Sequence, residues 1–223
     1  KNMLSFERVF GHAFVINLES RPDRLQQFRA NMRSAGIDES KITRFDAIAT
    51  PKKGWIGCVQ SHIALLERAK AEQWPRITVF EDDFVWRYDH DKNVAQTTFN
   101  ILERLENAVC RDWNVFMLST FARSQKKTAV SWLVRLSHGS TSAGYIVNAN
   151  YYDLILENLR ESERLLLQHV HTLEDYQKNP QYALDQHWRT IQEKGNWFTT
   201  LPPIGKQSDG FSDIVECEAQ HTY

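Results

Sequence analysis

The sequence predicts an α/β protein with a mostly parallel central sheet flanked by helices. Three observations lead there. The chain opens with a strand, helix, strand pattern; a third apolar run ends abruptly in carboxylates; and strand-like and helix-like segments keep alternating afterwards. With 223 residues, 42% of them hydrophobic and 12% aromatic, the chain can bury a sizeable core.

The first strand is Ala13-Phe14-Val15-Ile16-Asn17-Leu18, a compact apolar run. Ser20-Arg21-Pro22-Asp23 follows with capping-box spacing and a Pro in the first helical turn. Leu25, Phe28, Met32 and Ala35 recur at helical spacing, and Gly36 supplies the stop. Ile42 to Ala47 reads as the second strand. Gly54 to Gly57 reads as a short turn into a second helix, with Val59, Ile63 and Leu66 as its apolar row and Pro75 beyond its end. Ile77-Thr78-Val79-Phe80 is the third strand, and it runs into Glu81-Asp82-Asp83.

Later segments follow the same logic. Residues Val94 to Val109 form a helix with Phe99, Leu102 and Leu105 buried, and Asn114 to Leu118 a strand. Val130 to Leu136 alternates loosely, Ala143 to Val147 is a short strand, and Ala149 to Leu159 a helix. Glu161 to Asn179 reads as a helical insertion or a lid. After Pro180 a helix places Leu184, Trp188 and Ile191 inward, and the Pro- and Gly-containing tail reads as loop. No internal repeat or linker divides the chain, so one domain over 1–223 is expected.

Charge and cysteines narrow the function. With 27 basic and 28 acidic residues there is no global field for nucleic acid or an anionic membrane. Cys58, Cys110 and Cys217 are too few and too scattered for a disulfide framework. They read as reduced thiols, which suits the cytoplasm or the cytoplasmic face of a membrane. Lys1 to Phe6 is too polar for a secretory core, and no apolar run is long enough to span a bilayer.

The acidic triplet is the leading chemical feature. Adjacent carboxylates at a strand end repel and lose hydration unless a cation neutralises them, and all-oxygen ligands suit Mg²⁺ or Mn²⁺. A solvated turn is the plain alternative. Three further groups stand near it in the expected topology. Asn17, Arg21 and Arg24 sit where the first strand becomes a helix, a place suited to a diphosphate or, equally, to an exposed helix face. Cys58 and His62 share one face of the second helix, where His62 is either a hydrogen-bonded core residue or a pocket residue. Asp185 begins its helix, whose N-terminus favours the ionised form of a general base, and Trp188 offers an apolar face for a sugar ring.

Taken in order, these stretches resemble glycosyltransferase family 25, which includes lipooligosaccharide and collagen galactosyltransferases. The matching segments are Val15-Ile16-Asn17-Leu18 with Arg21 and Arg24, Phe45-Asp46-Ala47, and Gly57-Cys58-Val59-Gln60-Ser61-His62-Ile63-Ala64-Leu65. Val79-Phe80-Glu81-Asp82-Asp83 continues the series, with Ser142 to Val147, Asp185 and Gln207 to Ile214 as later echoes. The resemblance implies a GT-A type fold, with a nucleotide-sugar half over about 1–120 and an acceptor half with a closing C-terminal loop over about 121–223. It implies Mn²⁺ or Mg²⁺ and inverting transfer of a hexose, galactose or glucose, from a UDP-sugar to a glycan or glycoprotein hydroxyl.

By the same resemblance Asn17, Leu18, Arg21, Arg24, Asp46 and Ala47 line the nucleotide pocket, joined by Gly57, Ser61 and His62. Glu81 and Asp83 hold the metal and Asp82 faces the ribose or sugar. Gln207, Ser212 and Asp213 close over the diphosphate, and Asp185 is the base. Two other classes stay open: a non-catalytic sugar-binding scaffold, and a metal-dependent phosphoester hydrolase, which needs further carboxylates at the triplet.

Overall fold

A computed structural model describes residues 6–87, 93–212, 214 and 217–219. The chain begins with a short helix, α1 (Phe6–Phe10), which the sequence reading did not include. β1 (His12–Asn17), α2 (Pro22–Ser34) and β2 (Ile42–Asp46) then form the expected opening unit. The residue before α2 is Arg21, and no side chain caps the helix, so the Ser20–Asp23 capping box is not formed. Gly36 does end it: at φ 73° it occupies the left-handed region, and Ile37 N donates back to Met32 O.

α3 (Gly54–Ala71) starts at Gly54 itself, so the expected turn at Gly54 to Gly57 is the helix's first turn. β3 (Arg76–Glu81) delivers the triplet, and β4 (Phe84–Trp86) follows at once. Next come α4 (Val94–Ala108) and β5 (Val115–Met117). β6 (Phe121–Lys127) and β7 (Leu133–Ser140) are a hairpin of which only the beginning of the second strand was legible. β8 (Gly144–Asn148) precedes α5 (Tyr152–His169), which runs ten residues past its expected end at Leu159.

The Glu161–Asn179 segment is therefore ordered helix. It comprises the end of α5 and then α6 (Leu173–Lys178), whose capping box joins Thr172 and Asp175. The helix expected after Pro180 is broken into α7 (Leu184–His187) and α8 (Arg189–Gln192). The tail contains four short strands, β9 (Trp197–Thr200), β10 (Gly205–Gln207), β11 (Gly210–Ser212) and β12 (Cys217–Ala219).

The α/β class holds, but the sheet is mixed rather than mostly parallel. Its eight strands run in the order β2-β1-β3-β8-β5-β9-β7-β6. β2, β1 and β3 are parallel, as are β5 and β9; β8 is antiparallel to both its neighbours, and β7 to both of its own. Helical crossovers build the parallel β2-β1-β3 part, whereas β6 and β7 are a hairpin and β8 inserts antiparallel between β3 and β5.

Alternation along β1 sends Ala13 and Val15 to one face and Phe14 and Ile16 to the other. The first face is covered by α1, α2 and α4, the second by α3, α5 and Trp188. Trp188 is fully buried against Tyr145 and Trp197, so it is core and not a platform for a sugar. Among the described residues no helix is long and apolar enough to cross a membrane. β1 leads to β2 on one side while β3 lies on its other side, so the strand order reverses between β1 and β3. Their carboxyl ends, at Asn17 and Glu81, open the crevice where open α/β sheets bind ligands.

Candidate active site

A cavity of about 280 Å³ occupies that crevice. Leu18, Arg24, Ala47, Gly57, Ser61, His62, Glu81, Asp82, Asp83 and Gln207 line it, all of them singled out from sequence. Asn17, Arg21, Asp46 and Asp185 do not. Ser212 belongs to β11 by its backbone, and Asp213 lies outside the described residues.

The three carboxylates of the triplet have three different environments. Asp82 is clamped: Asn17 Nδ2 donates to Oδ2 at 2.7 Å and Arg24 Nη1 donates to Oδ1 at 3.1 Å. Burial raises its pKa, offset in part by those two partners. Asn17, 2% exposed, thus lies beneath the cavity as a bracket. It also donates to Arg21 O and accepts from Arg44 Nε, a residue the sequence reading passed over. Arg21 pairs with Asp23 on its own helix, and Asp46 is exposed and paired with Arg44.

Glu81 is bound from the helix side. Ser142 Oγ donates to Oε1 at 2.5 Å and His62 Nε2 to the same oxygen at 3.2 Å. Burial opposes the charge of Glu81, but the bonds from His62 and Ser142 hold its pKa below the usual range. The ionised carboxylate can only accept, so Nε2 carries the proton and Nδ1 is left to share a 2.7 Å bond with the Tyr145 hydroxyl. His62 is wholly buried between the two. It is a core histidine and a cavity residue together. Cys58 Sγ joins them: the ligand atoms of Cys58, His62 and Glu81 all lie within 4.8 Å of one another. Burial and the charges of Glu81, Asp185 and Asp83 push the Cys58 thiol well up.

Asp83 is the unsatisfied member. Gln207 Nε2 donates to Oδ2 at 2.8 Å, while Oδ1 is buried with no hydrogen-bond partner among the described residues. Burial and then the charge of Glu81 raise its pKa to about 7, against the bond from Gln207. A buried oxygen without a donor, in a group whose charge is disfavoured, fits a divalent cation. Asp82 has both oxygens engaged, and both bonds to Glu81 fall on Oε1.

Asp185 reaches the site through hydrogen bonds. Its Oδ2 accepts from Thr141 N at 2.8 Å; Thr141 Oγ1 donates to Gln207 Oε1 at 3.1 Å; and Gln207 binds Asp83. Burial raises the pKa of Asp185, outweighing the bond from Thr141, so the helix start does not set its charge state as the sequence suggested.

One further wall of the cavity was missed from sequence. Ile48, Ala49, Thr50, Pro51 and Lys52 form it, between β2 and α3. Thr50 Oγ1 accepts from Gly57 N at 2.9 Å and Ser61 Oγ accepts from Ile48 N at 2.9 Å, which fastens this loop to the helix. A Cβ at Gly57 would lie 2.0 Å from Ile48 O, so the loop can approach only a glycine. The Pro51-Lys52-Lys53-Gly54 turn before that helix was the available signal. Lys52 lines the cavity at φ 63° beside the N-terminus of α3.

No curated protein sequence matches the chain. Among solved structures it is loosely similar to a protein from Bacillus anthracis assigned as a glucose-1-phosphate thymidylyltransferase, in complex with a sucrose. That likeness has 9% identity, covers 84% of this chain and 69% of the other, and gives a TM-score of 0.38. A197 from STIV is 10% identical over 94% of each chain, with a TM-score of 0.37. Scores this low bear on neither fold nor function. The sequence model of glycosyltransferase family 25 (LPS biosynthesis protein) matches residues 50–166, from the cavity's loop wall through the triplet and into α5. That stretch is just over half of the chain, and the protein accordingly belongs to glycosyltransferase family 25.

Proposed function

We propose that this glycosyltransferase moves a hexose, galactose or glucose, from a UDP-sugar to a hydroxyl of a glycan or glycoprotein, with inversion and with a divalent cation. The observation that carries this reading is the orphaned Asp83 Oδ1 in a cavity that Lys52 also lines.

Asp83 would hold Mn²⁺ or Mg²⁺ through that oxygen, and Glu81 is the neighbouring ligand with an oxygen left over. The cation, when bound, neutralises the charge that develops on the leaving diphosphate. Lys52 and the N-terminus of α3 supply positive charge and N–H donors for the phosphates from the other side. Ala47, Leu18 and the 48–51 loop offer an apolar wall for the nucleoside. Arg24 and Asn17 keep Asp82 aimed at the cavity, where its carboxylate accepts from a ribose or sugar hydroxyl. Gln207 joins Asp83 to Thr141 and hence to Asp185.

Asp185 takes the proton from the acceptor hydroxyl. Its raised pKa makes it a stronger base than an exposed aspartate, which is what in-line attack by a hydroxyl needs. The two halves of the chain thereby divide donor from acceptor.

Turnover of a panel of UDP-sugars, with Mn²⁺ and after chelation, tests this. Wild-type protein should hydrolyse or transfer from at least one of them only with metal present. Asp83→Asn should lose more than a hundredfold in kcat and should bind UDP equally with or without Mn²⁺. UDP binding and turnover that ignore the metal would overturn the reading.

A further inference from the structure

A second polar cluster, absent from the cavity lining, lies where the β6–β7 hairpin meets α8. In the β6–β7 hairpin, Ala122 pairs with Gly139 and Ser124 with His138, so Arg123 is an extra, unpaired residue on β6. Such a bulge turns a side chain out of the regular alternation, and bulges favour sites beside active centres. Arg123 is exposed and has no ion-pair partner among the described residues.

α8 is fastened to the same place. Gln192 accepts from Gly139 N at 2.7 Å and donates to Gly139 O at 2.8 Å. Arg189 lies one turn earlier on α8, and its charge acts on His138, the residue beside Gly139. The His138 Nε2 is buried and has no hydrogen-bond partner among the described residues. Burial, then Arg189 and Arg123, lower the pKa of its ring. Glu193, just past α8, is paired with Lys126. Two guanidinium groups thus act on one imidazole whose Nε2 has no partner among the described residues.

The cluster is connected to the proposed base. Arg189 donates to Gln186 Oε1, and Gln186 Nε2 donates to Asp185 Oδ2 at 3.1 Å. His138, on β7, stands three residues before Thr141, which follows the strand's end and whose N–H binds Asp185. Three extended residues span about 10 Å.

We propose that Arg123, His138 and Arg189 form an anion subsite that grips a phosphate or carboxylate of the acceptor glycan. Calling it an acceptor subsite rests on the reading of Asp185 as the base; the anion binding does not. Arg presents paired N–H donors matched to such groups, and the unpaired His138 nitrogen supplies a further contact.

The test is a titration of the His138 ring resonance, assigned with His138→Gln, using inorganic phosphate, acetate or chloride at constant ionic strength. UDP binding with Mn²⁺ is measured in parallel. Phosphate or acetate should shift the resonance saturably, and the stronger of the two names the acceptor's charged group. In Arg123→Gln/Arg189→Gln the affinity for that anion should fall at least tenfold, with UDP affinity unchanged within twofold. A response to phosphate and acetate no stronger than to chloride would overturn the subsite, as would a saturable response that survives in the double variant. Failure of UDP to bind wild-type protein would instead count against the donor reading and leave the titration to decide the anion site.

Discussion

The triplet shows how neighbouring residues of one chemical type acquire separate roles. Asp82 is spent on Asn17 and Arg24, Glu81 on Ser142 and His62, and only Asp83 keeps a buried oxygen without a donor. Residue type alone does not distinguish the three carboxylates; the family resemblance assigned Glu81 and Asp83 to the metal and Asp82 to the ribose or sugar. Asp185 carries the sharpest prediction at this scale. In Asp185→Asn, kcat should fall about 10²- to 10⁴-fold, with the KM for the donor little changed. Stability should move the other way. The folded carboxyl has a raised pKa, so its burial costs nothing below the unfolded value and destabilises progressively as pH rises above it. Asn removes that cost: the variant's Tm should exceed wild type by about 2–4 °C near neutrality. That gain should shrink as pH falls toward 4. Thermal melts across pH check the sign, and a wild-type advantage at neutral pH would contradict it.

Among the elements, α3 and its preceding loop matter most. Gly57 lets Ile48 O come within a distance that no side chain tolerates, and Thr50 and Ser61 bond the two segments together. Gly57→Ala should cost about 1–3 kcal/mol through displacement of the loop. It should also weaken UDP binding, since the loop is a cavity wall; denaturant melts and calorimetry with UDP measure both. Helix starts and stops were read with uneven success. Gly36 ended α2 as its position implied, because a left-handed residue is a local demand. The Ser20–Asp23 box failed because Asp23 is occupied by Arg21 instead. The Thr172–Asp175 box, in a stretch that was hard to read, formed.

For the whole molecule, the mixed sheet places its best-protected strands at the centre. β3, β8 and β5 have neighbours on both sides and helices on both faces, whereas β2 and β6 are edges and β6 is largely exposed. Amide exchange should therefore be slowest in Thr78 to Phe80, Tyr145 to Val147 and Phe116, and fastest in Arg123 to Lys127. Mass-resolved exchange tests this, and protection of β6 equal to that of β3 would show that the hairpin edge is covered in solution. The open edge also leaves Arg123 accessible to a large acceptor, as the anion subsite requires.

The parallel opening unit, the burial of the Val59–Ile63–Leu66 row and the position of the acidic triplet were legible in the residues, because each depends on apolar periodicity and local stops. Most cavity residues were legible too, through the motifs around them. The antiparallel insertion of β8, the full β6–β7 hairpin and the burial of Trp188 were not, since they depend on which distant surfaces meet. Charge states belong to that second group. Whether Asp83 Oδ1 lacks a donor, or the charges of Arg123 and Arg189 act on His138, is decided by groups far apart in the chain. A sequence states which groups can ionise; only the packed structure sets their burial and neighbours, and these determine what each one does.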